Sequence, residues 1–155
     1  MNVRAATPQD MDELLRLYEE RMDVYLQYES RQPHYVENQA AWQTAILEWI
    51  EQDNANVLVV QRDDQLIGYM IAWVWKNPPF TYPATIGMVT ELSVDGHCKQ
   101  GGVGTALLES VSTWFREKGL ESFEIRVPRR QAIEQAFWRA VGAEAYHDHM
   151  YFQLR

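Results

Sequence analysis

The chain has 155 residues, 46% hydrophobic and 12% aromatic, enough to bury one sizeable core and too apolar for disorder. Its net charge of −8 argues against nucleic acid as the main partner. Its longest apolar run after Gly68, over 69–75, is far too short to span a bilayer, so no membrane partner is expected.

Asn2–Ala5 reads as a short strand. Thr7-Pro8 opens a helix, with Thr as N-cap, Pro at the first position and Asp10 where a capping box usually has Glu. Met11, Leu14, Leu15, Tyr18, Met22 and Tyr25 keep one apolar face until residues 29–33 break it. A second helix carries Trp42, Ala45, Ile46, Trp49 and Ile50 on one face, with the tryptophans read as core. Residues 57–60 read as a buried strand, and Arg62-Asp63-Asp64-Gln65 turns it into a long aromatic and β-branched strand over 66–75. Asn77-Pro78-Pro79 stops that strand, and the chain loops back into another at Thr85–Val94.

A glycine-rich loop follows, then a helix over 103–118 whose stripe is Leu107, Leu108, Val111, Trp114 and Phe115 and whose end is Lys118-Gly119. Phe123, Ile125 and Val127 alternate in a strand stopped by Pro128. Ile133, Ala136, Phe137, Ala140 and Val141 form a last helical stripe, closed by Gly142. The tail over 145–154 suggests one or two terminal strands.

The stretch Val94-Asp95-Gly96-His97-Cys98-Lys99-Gln100-Gly101-Gly102-Val103-Gly104-Thr105-Ala106-Leu107-Leu108 organises the rest. Strand, glycine loop and helix N-terminus together make an anion site, because free amides point outward and missing side chains let a phosphate approach. The spacing excludes two common phosphate loops. No Lys-Ser or Lys-Thr follows the last glycine, and Leu107 stands where a dinucleotide fingerprint needs its third glycine. A side chain at Gly104 is expected to block the phosphate while leaving the fold intact.

Lys99-Gln100-Gly101-Gly102-Val103-Gly104, flanked by Leu92, Ser93, Val94 and Asp95 before and Ala106-Leu107-Leu108 after, resembles the acetyl-CoA pyrophosphate loop of GCN5-related N-acetyltransferases, the GNAT family. The element order, the opening from Asn2 and the segment around Trp138 are similar as well. The resemblance implies an α+β fold, a mixed and mostly antiparallel central sheet flanked by helices, with residues 1–155 as a single N-acetyltransferase domain. It implies acetyl-CoA as co-substrate and no metal. Backbone groups of Leu92, Ser93 and Val94 would hold the pantetheine arm, and Lys99, Gln100, Gly101, Gly102, Val103, Gly104 and Thr105 the pyrophosphate. Lys99 departs from the Arg or Gln usual there and lacks a bidentate fork.

The family reaction is direct attack of a primary amine on the thioester, which needs a base, an oxyanion donor and an acid for the thiolate. Glu91 is the base candidate, on the same strand face as Ser93 and opposite Leu92. It reads equally well as a structural carboxylate. Trp138 stands where many members place the tyrosine acid, and indole gives up no proton at useful pH. Trp138 then packs on the cofactor and Tyr146 becomes the candidate acid, or the protein is a catalytically weak acyl-CoA-binding regulator. A nucleotide-binding module would rest on the glycine loop alone.

The acidic excess lies in residues 1–64, with 13 acids and 5 bases against 9 of each in 65–155. That is either a solvated helical surface or a negative rim for a cationic small-molecule or peptide amine. Cys98, the single cysteine, allows no internal disulfide and suits a reducing cytoplasm, as does the polar opening Met1-Asn2-Val3-Arg4. It reads as a packing thiol. His147-Asp148-His149 reads as a polar turn in preference to a metal site. Arg129-Arg130 is either a solvated pair or a contact to the 3′-phosphate. A homodimer is left open by the family.

Overall fold

A computed structural model describes residues 1–28, 39–98 and 101–155. Its strands are β1 (Asn2–Ala5), β2 (Ala55–Arg62), β3 (Gln65–Lys76), β4 (Thr85–Val94) and β5 (Phe123–Ile125). Its helices are α1 (Met11–Tyr28), α2 (Gln39–Ile50), α3 (Val103–Glu117) and α4 (Ala132–Ala140), with a short 3-10 turn, Pro8–Asp10, leading into α1. The strands form one sheet in chain order; β1 to β4 pair antiparallel and β4 to β5 parallel. This is the expected α+β architecture.

The sheet is buried on both faces, so β3 reads as a continuous apolar run and is buried from Leu66 to Ala72. Alternation sends Tyr69 and Ile71 to one core, with Leu14, Leu17 and Met22 of α1 and Trp42 and Ile46 of α2. Met70 and Ala72 go to the other, with Val103, Leu107, Val111 and Phe115 of α3 and Trp138 of α4. The opening of α1 is fixed as its residue types require: the Thr7 amide donates to the Asp10 carboxylate at 2.8 Å, and Arg4 grips both Asp10 oxygens at 2.7 Å.

Three expectations change. Residues 145–154 form no strand; 144–155 are exposed, Met150 at 86%, Phe152 at 84% and Leu154 at 86%. β5 has only three residues to offer as an edge there. It ends at Ile125 because β4 and β5 part after that point. On α4 only Phe137 of the apolar stripe packs inward: Ile133 is 85% exposed and Ala136, Ala140 and Val141 are exposed, whereas Glu134 and Trp138 turn toward the protein, as does Gln131 just before the helix. The break at 29–33 lies outside the described residues.

Candidate active site

The site is built on the end of β4. Ile71 lies opposite Glu91 but Ala72 lies opposite Val89, so Thr90 is an extra residue, a bulge. The bulge lets Val89 and Leu92, three residues apart, both enter the core on the α3 side. It also re-aims the backbone. The Val89 carbonyl accepts the Arg126 amide at 2.9 Å, the last bond to the β5 side. Beyond the Val89–Ile125 pair, residues Thr90 to Val94 have no strand partner on that side among the described residues. The Leu92 carbonyl therefore points into an opening between β4 and β5, and there it accepts the Arg21 Nε–H at 3.2 Å.

Around that guanidinium sits a buried charge cluster. Arg21 of α1 and Glu134 of α4 approach to 3.8 Å, with 12% and 10% of their side chains exposed. Glu91 is on the α1 side of β4, where the Tyr69 hydroxyl donates to its Oε2 at 2.8 Å. Burial works against the Arg21 charge, but Glu91, Tyr69 and Glu134 outweigh it and hold the guanidinium above its ordinary pKa. Burial and the nearby Glu91 push the Tyr69 phenol well up, so it stays a donor. Burial also raises the Glu134 carboxyl; Arg21 opposes this, Glu91 reinforces it, and the nearby Trp138 indole opposes it weakly. That indole falls short of hydrogen-bond geometry, and its Nε1 is buried without a partner among the described residues.

Ser93 shares the Glu91 face and uses its hydroxyl structurally, donating to the Leu17 carbonyl at 3.2 Å and tying β4 to α1. Val94 is 41% exposed, at the strand's end. Asp95 then roots the glycine loop. It is 6% exposed, pairs with Arg16 at 3.1 Å and accepts the His97 amide at 2.8 Å.

The loop delivers the chain to α3 through Gly102, whose φ of 93° is left-handed and suits glycine. No side chain caps α3 and no acid stands in its first turn, so the amides of Val103, Gly104 and Thr105 are open to an anion. A side chain at Gly101 would meet nothing within 4 Å. Gly104 is different. A Cβ there would lie 2.8 Å from Phe137 Cε2, so this glycine is required for close packing of α3 on α4, and the expectation that a substitution would leave the fold intact is corrected. Lys99 and Gln100 lie outside the described residues.

Residues 3–150 match the family model described as Acetyltransferase (GNAT) domain. The chain belongs to the GNAT acetyltransferase family. No curated protein matches the sequence. Among solved structures, a tetramutant of the BH1408 protein from Bacillus halodurans is similar with a TM-score of 0.81 at 20% identity, covering 99% of this chain and 100% of that one. The aminoglycoside antibiotic 6'-N-acetyltransferase AAC(6')-IG from Acinetobacter haemolyticus gives 0.79 at 17% identity, covering 100% and 99%. The aminoglycoside N-acetyltransferase AAC(6')-Iy, solved in complex with CoA, gives 0.75 at 17%, covering 99% and 94%. At these identities the likeness is one of fold.

Of the residues the GNAT resemblance singled out, the structure brings Glu91, Leu92, Ser93, Val94, Gly101, Gly102, Val103, Gly104 and Thr105 to one end of the sheet. Trp138 is 3% exposed in the α3-side core, packed edge-on against Phe137. Tyr146 is not brought there: it is 74% exposed in the irregular tail, its ring beside His147. Cys98 packs against the α3-side core. The exposed Arg129 pairs with Asp148 at 3.0 Å. Among the described residues no metal-ligating group forms and no helix is long and apolar enough to cross a membrane. Arg16, Arg21, Tyr69 and Glu134 are the participants that sequence reading missed. An arginine or glutamate on an amphipathic helix reads as solvent-facing and Tyr69 as core, but Arg21 and Glu134 meet beside the Leu92 carbonyl, Tyr69 holds Glu91, and Arg16 holds Asp95 at the root of the glycine loop.

Proposed function

We propose that the protein is an acetyl-CoA-dependent N-acetyltransferase, one domain over 1–155, that acetylates a cationic primary amine of a small molecule or peptide in the cytoplasm. The observation that carries this is the free edge of β4: an outward Leu92 carbonyl in an opening that leads to the uncapped N-terminus of α3. A chain of amides fits such an edge as a further strand would, and a diphosphate fits the amides of Val103 to Thr105 with Gly101 beside them. Acetyl-CoA supplies the activated thioester.

The chain's own residues supply the rest. Glu91 takes the proton of the bound ammonium, directly or through water. Tyr69 holds its carboxylate in place by the 2.8 Å bond and, with its pKa pushed up, does not compete for the proton. The exposed Asp12, Glu19 and Asp23 of α1 form a negative approach for a cation. The use of aminoglycosides by AAC(6')-IG is in keeping with a polycationic amine.

A second reading, an acyl-CoA-binding regulator with little turnover, is favoured by one observation only: Trp138, buried where an acid would be expected, has no proton to give. Free-thiol release from acetyl-CoA with and without a pool of amines separates the two. Amine-dependent release supports the transferase; acetyl-CoA binding without release supports the regulator.

A further inference from the structure

Helix α4 breaks its own hydrophobic pattern. It leaves Ile133 85% exposed and turns the next residue, Glu134, inward. Such a violation calls for a role that packing does not supply. Glu134 stands one turn before Trp138 on the inward face, a single guanidinium away from the Leu92 carbonyl: Arg21 Nε reaches that oxygen at 3.2 Å and its terminal nitrogen faces Glu134 Oε2 at 3.8 Å. The groups facing this carboxyl are Arg21 from α1, Glu91 from β4 and Trp138 from α4, and Tyr69 and Tyr25 lie around Arg21 in turn.

We propose that Glu134 is the acid that gives a proton to the departing thiolate, and that Arg21 is its positioning residue, held off solvent by the Leu92 carbonyl until the acyl donor claims that oxygen. This rests on the transferase reading above. Burial and Glu91 disfavour the charged form of Glu134, and Arg21 is the chief neighbour that favours it, the Trp138 indole adding weakly. With Leu92 occupied, Arg21 loses the hydrogen bond that holds it beside Glu134. Glu134, left with burial and Glu91, then takes one proton from solvent.

In the transfer step the thioester C–S bond breaks and its electron pair stays on sulfur. The Glu134 proton goes to that sulfur, leaving the carboxylate. The acceptor ammonium first gives a proton to Glu91, the lone pair so freed forms the N–C bond, and the nitrogen's second proton leaves to solvent. Glu134 thus supplies what Trp138 cannot.

The test is calorimetric titration of acetyl-CoA alone, without acceptor, into wild type and Glu134→Gln in buffers of different ionisation enthalpy. Wild type should take up as much as one proton on binding near neutral pH. Glu134→Gln should take up none, bind within about threefold of wild-type affinity, and turn over about 10²-fold more slowly. A carboxyl-carbon NMR titration of the wild type keeps the test independent of whether the variant folds: one glutamate should titrate at higher pH once acetyl-CoA is bound. Equal proton uptake in both proteins, or no glutamate shift in the wild type, would overturn the assignment while leaving the transferase reading standing. Absence of any binding heat would overturn both.

Discussion

Tyr69 of β3 and Glu91 of β4 meet at 2.8 Å, and the phenol, fully buried, donates to a carboxylate that lies beside the open end of the sheet. They are two residues out of direct register, since Glu91 lies opposite Ile71 and Tyr69 opposite Ser93. A diagonal contact of this kind is within reach of a long aromatic side chain on the same face. It fixes the carboxylate from behind and leaves its other oxygen for an ammonium or a water. Glu91→Gln should lower kcat by about 10²–10⁴ with acetyl-CoA affinity unchanged. Tyr69→Phe should act more mildly on rate but cost about 1.5–3 kcal/mol of stability, because a charged acceptor loses a buried donor. Steady-state kinetics beside urea unfolding distinguishes the two effects, and full turnover in Glu91→Gln would remove the base.

The glycines of the loop separate into two kinds. Gly104→Val should cost about 1–3 kcal/mol, since its Cβ would press on the Phe137 ring at 2.8 Å and push α4 from α3. Gly101→Val, with nothing within 4 Å of its Cβ, should keep its stability and lose affinity for acetyl-CoA. Thermal unfolding of the two variants with and without acetyl-CoA checks the split. Equal stabilities with equal affinities would contradict the anion site.

Much of this was legible in the sequence, and what was not has physical causes. Thr85–Val94 is bounded by prolines before and a glycine loop after, so local chemistry sets both of its ends, and the same holds for α3 between Gly102 and Gly119. In α1 the stripe through Leu14, Tyr18 and Met22 packs inward as its period requires, but Leu17 is fully buried and Leu15 only partly. A helix lying across β3 and packed by α2 buries more than one row. The bulge at Thr90 carries no sequence mark, yet it decides which carbonyls face the opening. The inward turn of Glu134 runs against the pattern and is set by tertiary contacts, the ion pair with Arg21 among them. The strand expected over 145–154 had no long edge to receive it.

The assignment of the acid bears on two other positions. Tyr146→Phe should run at wild-type rates, its side chain being 74% exposed in the tail. Trp138→Tyr should retain acetyl-CoA binding and restore part of the turnover lost in Glu134→Gln by offering a second proton donor. A drop of tenfold or more in Tyr146→Phe, at unchanged affinity, would return the acid role to that tyrosine.

The capping carboxylate at the start of α1 gives a pH dependence that is separate from catalysis. The Arg4 hydrogen bonds hold the Asp10 carboxyl below its ordinary value against the cost of burial, with the Thr7 amide helping. A depressed folded pKa stabilises above the unfolded value of about 3.9 and loses that contribution as pH falls through the folded one. Asp10→Asn should therefore cost about 1.5–3 kcal/mol at neutral pH, and the gap to wild type should close in the acid range below about pH 3.9. Urea unfolding across pH checks this, and a gap constant down to pH 2 would contradict it.

The most direct measurement is thiol release from acetyl-CoA in the presence of single amines chosen by charge. Lysine-like amines, with pKa about 10.4, arrive as cations and need both the acidic approach of α1 and the base Glu91. Cationic amines should win over neutral and anionic ones, and kcat/KM for them should fall as salt rises through the range where surface charge is screened. Preferential use of neutral or anionic amines, or amine-independent thiol release at the same rate, would contradict acetyl transfer to a cationic acceptor at this site.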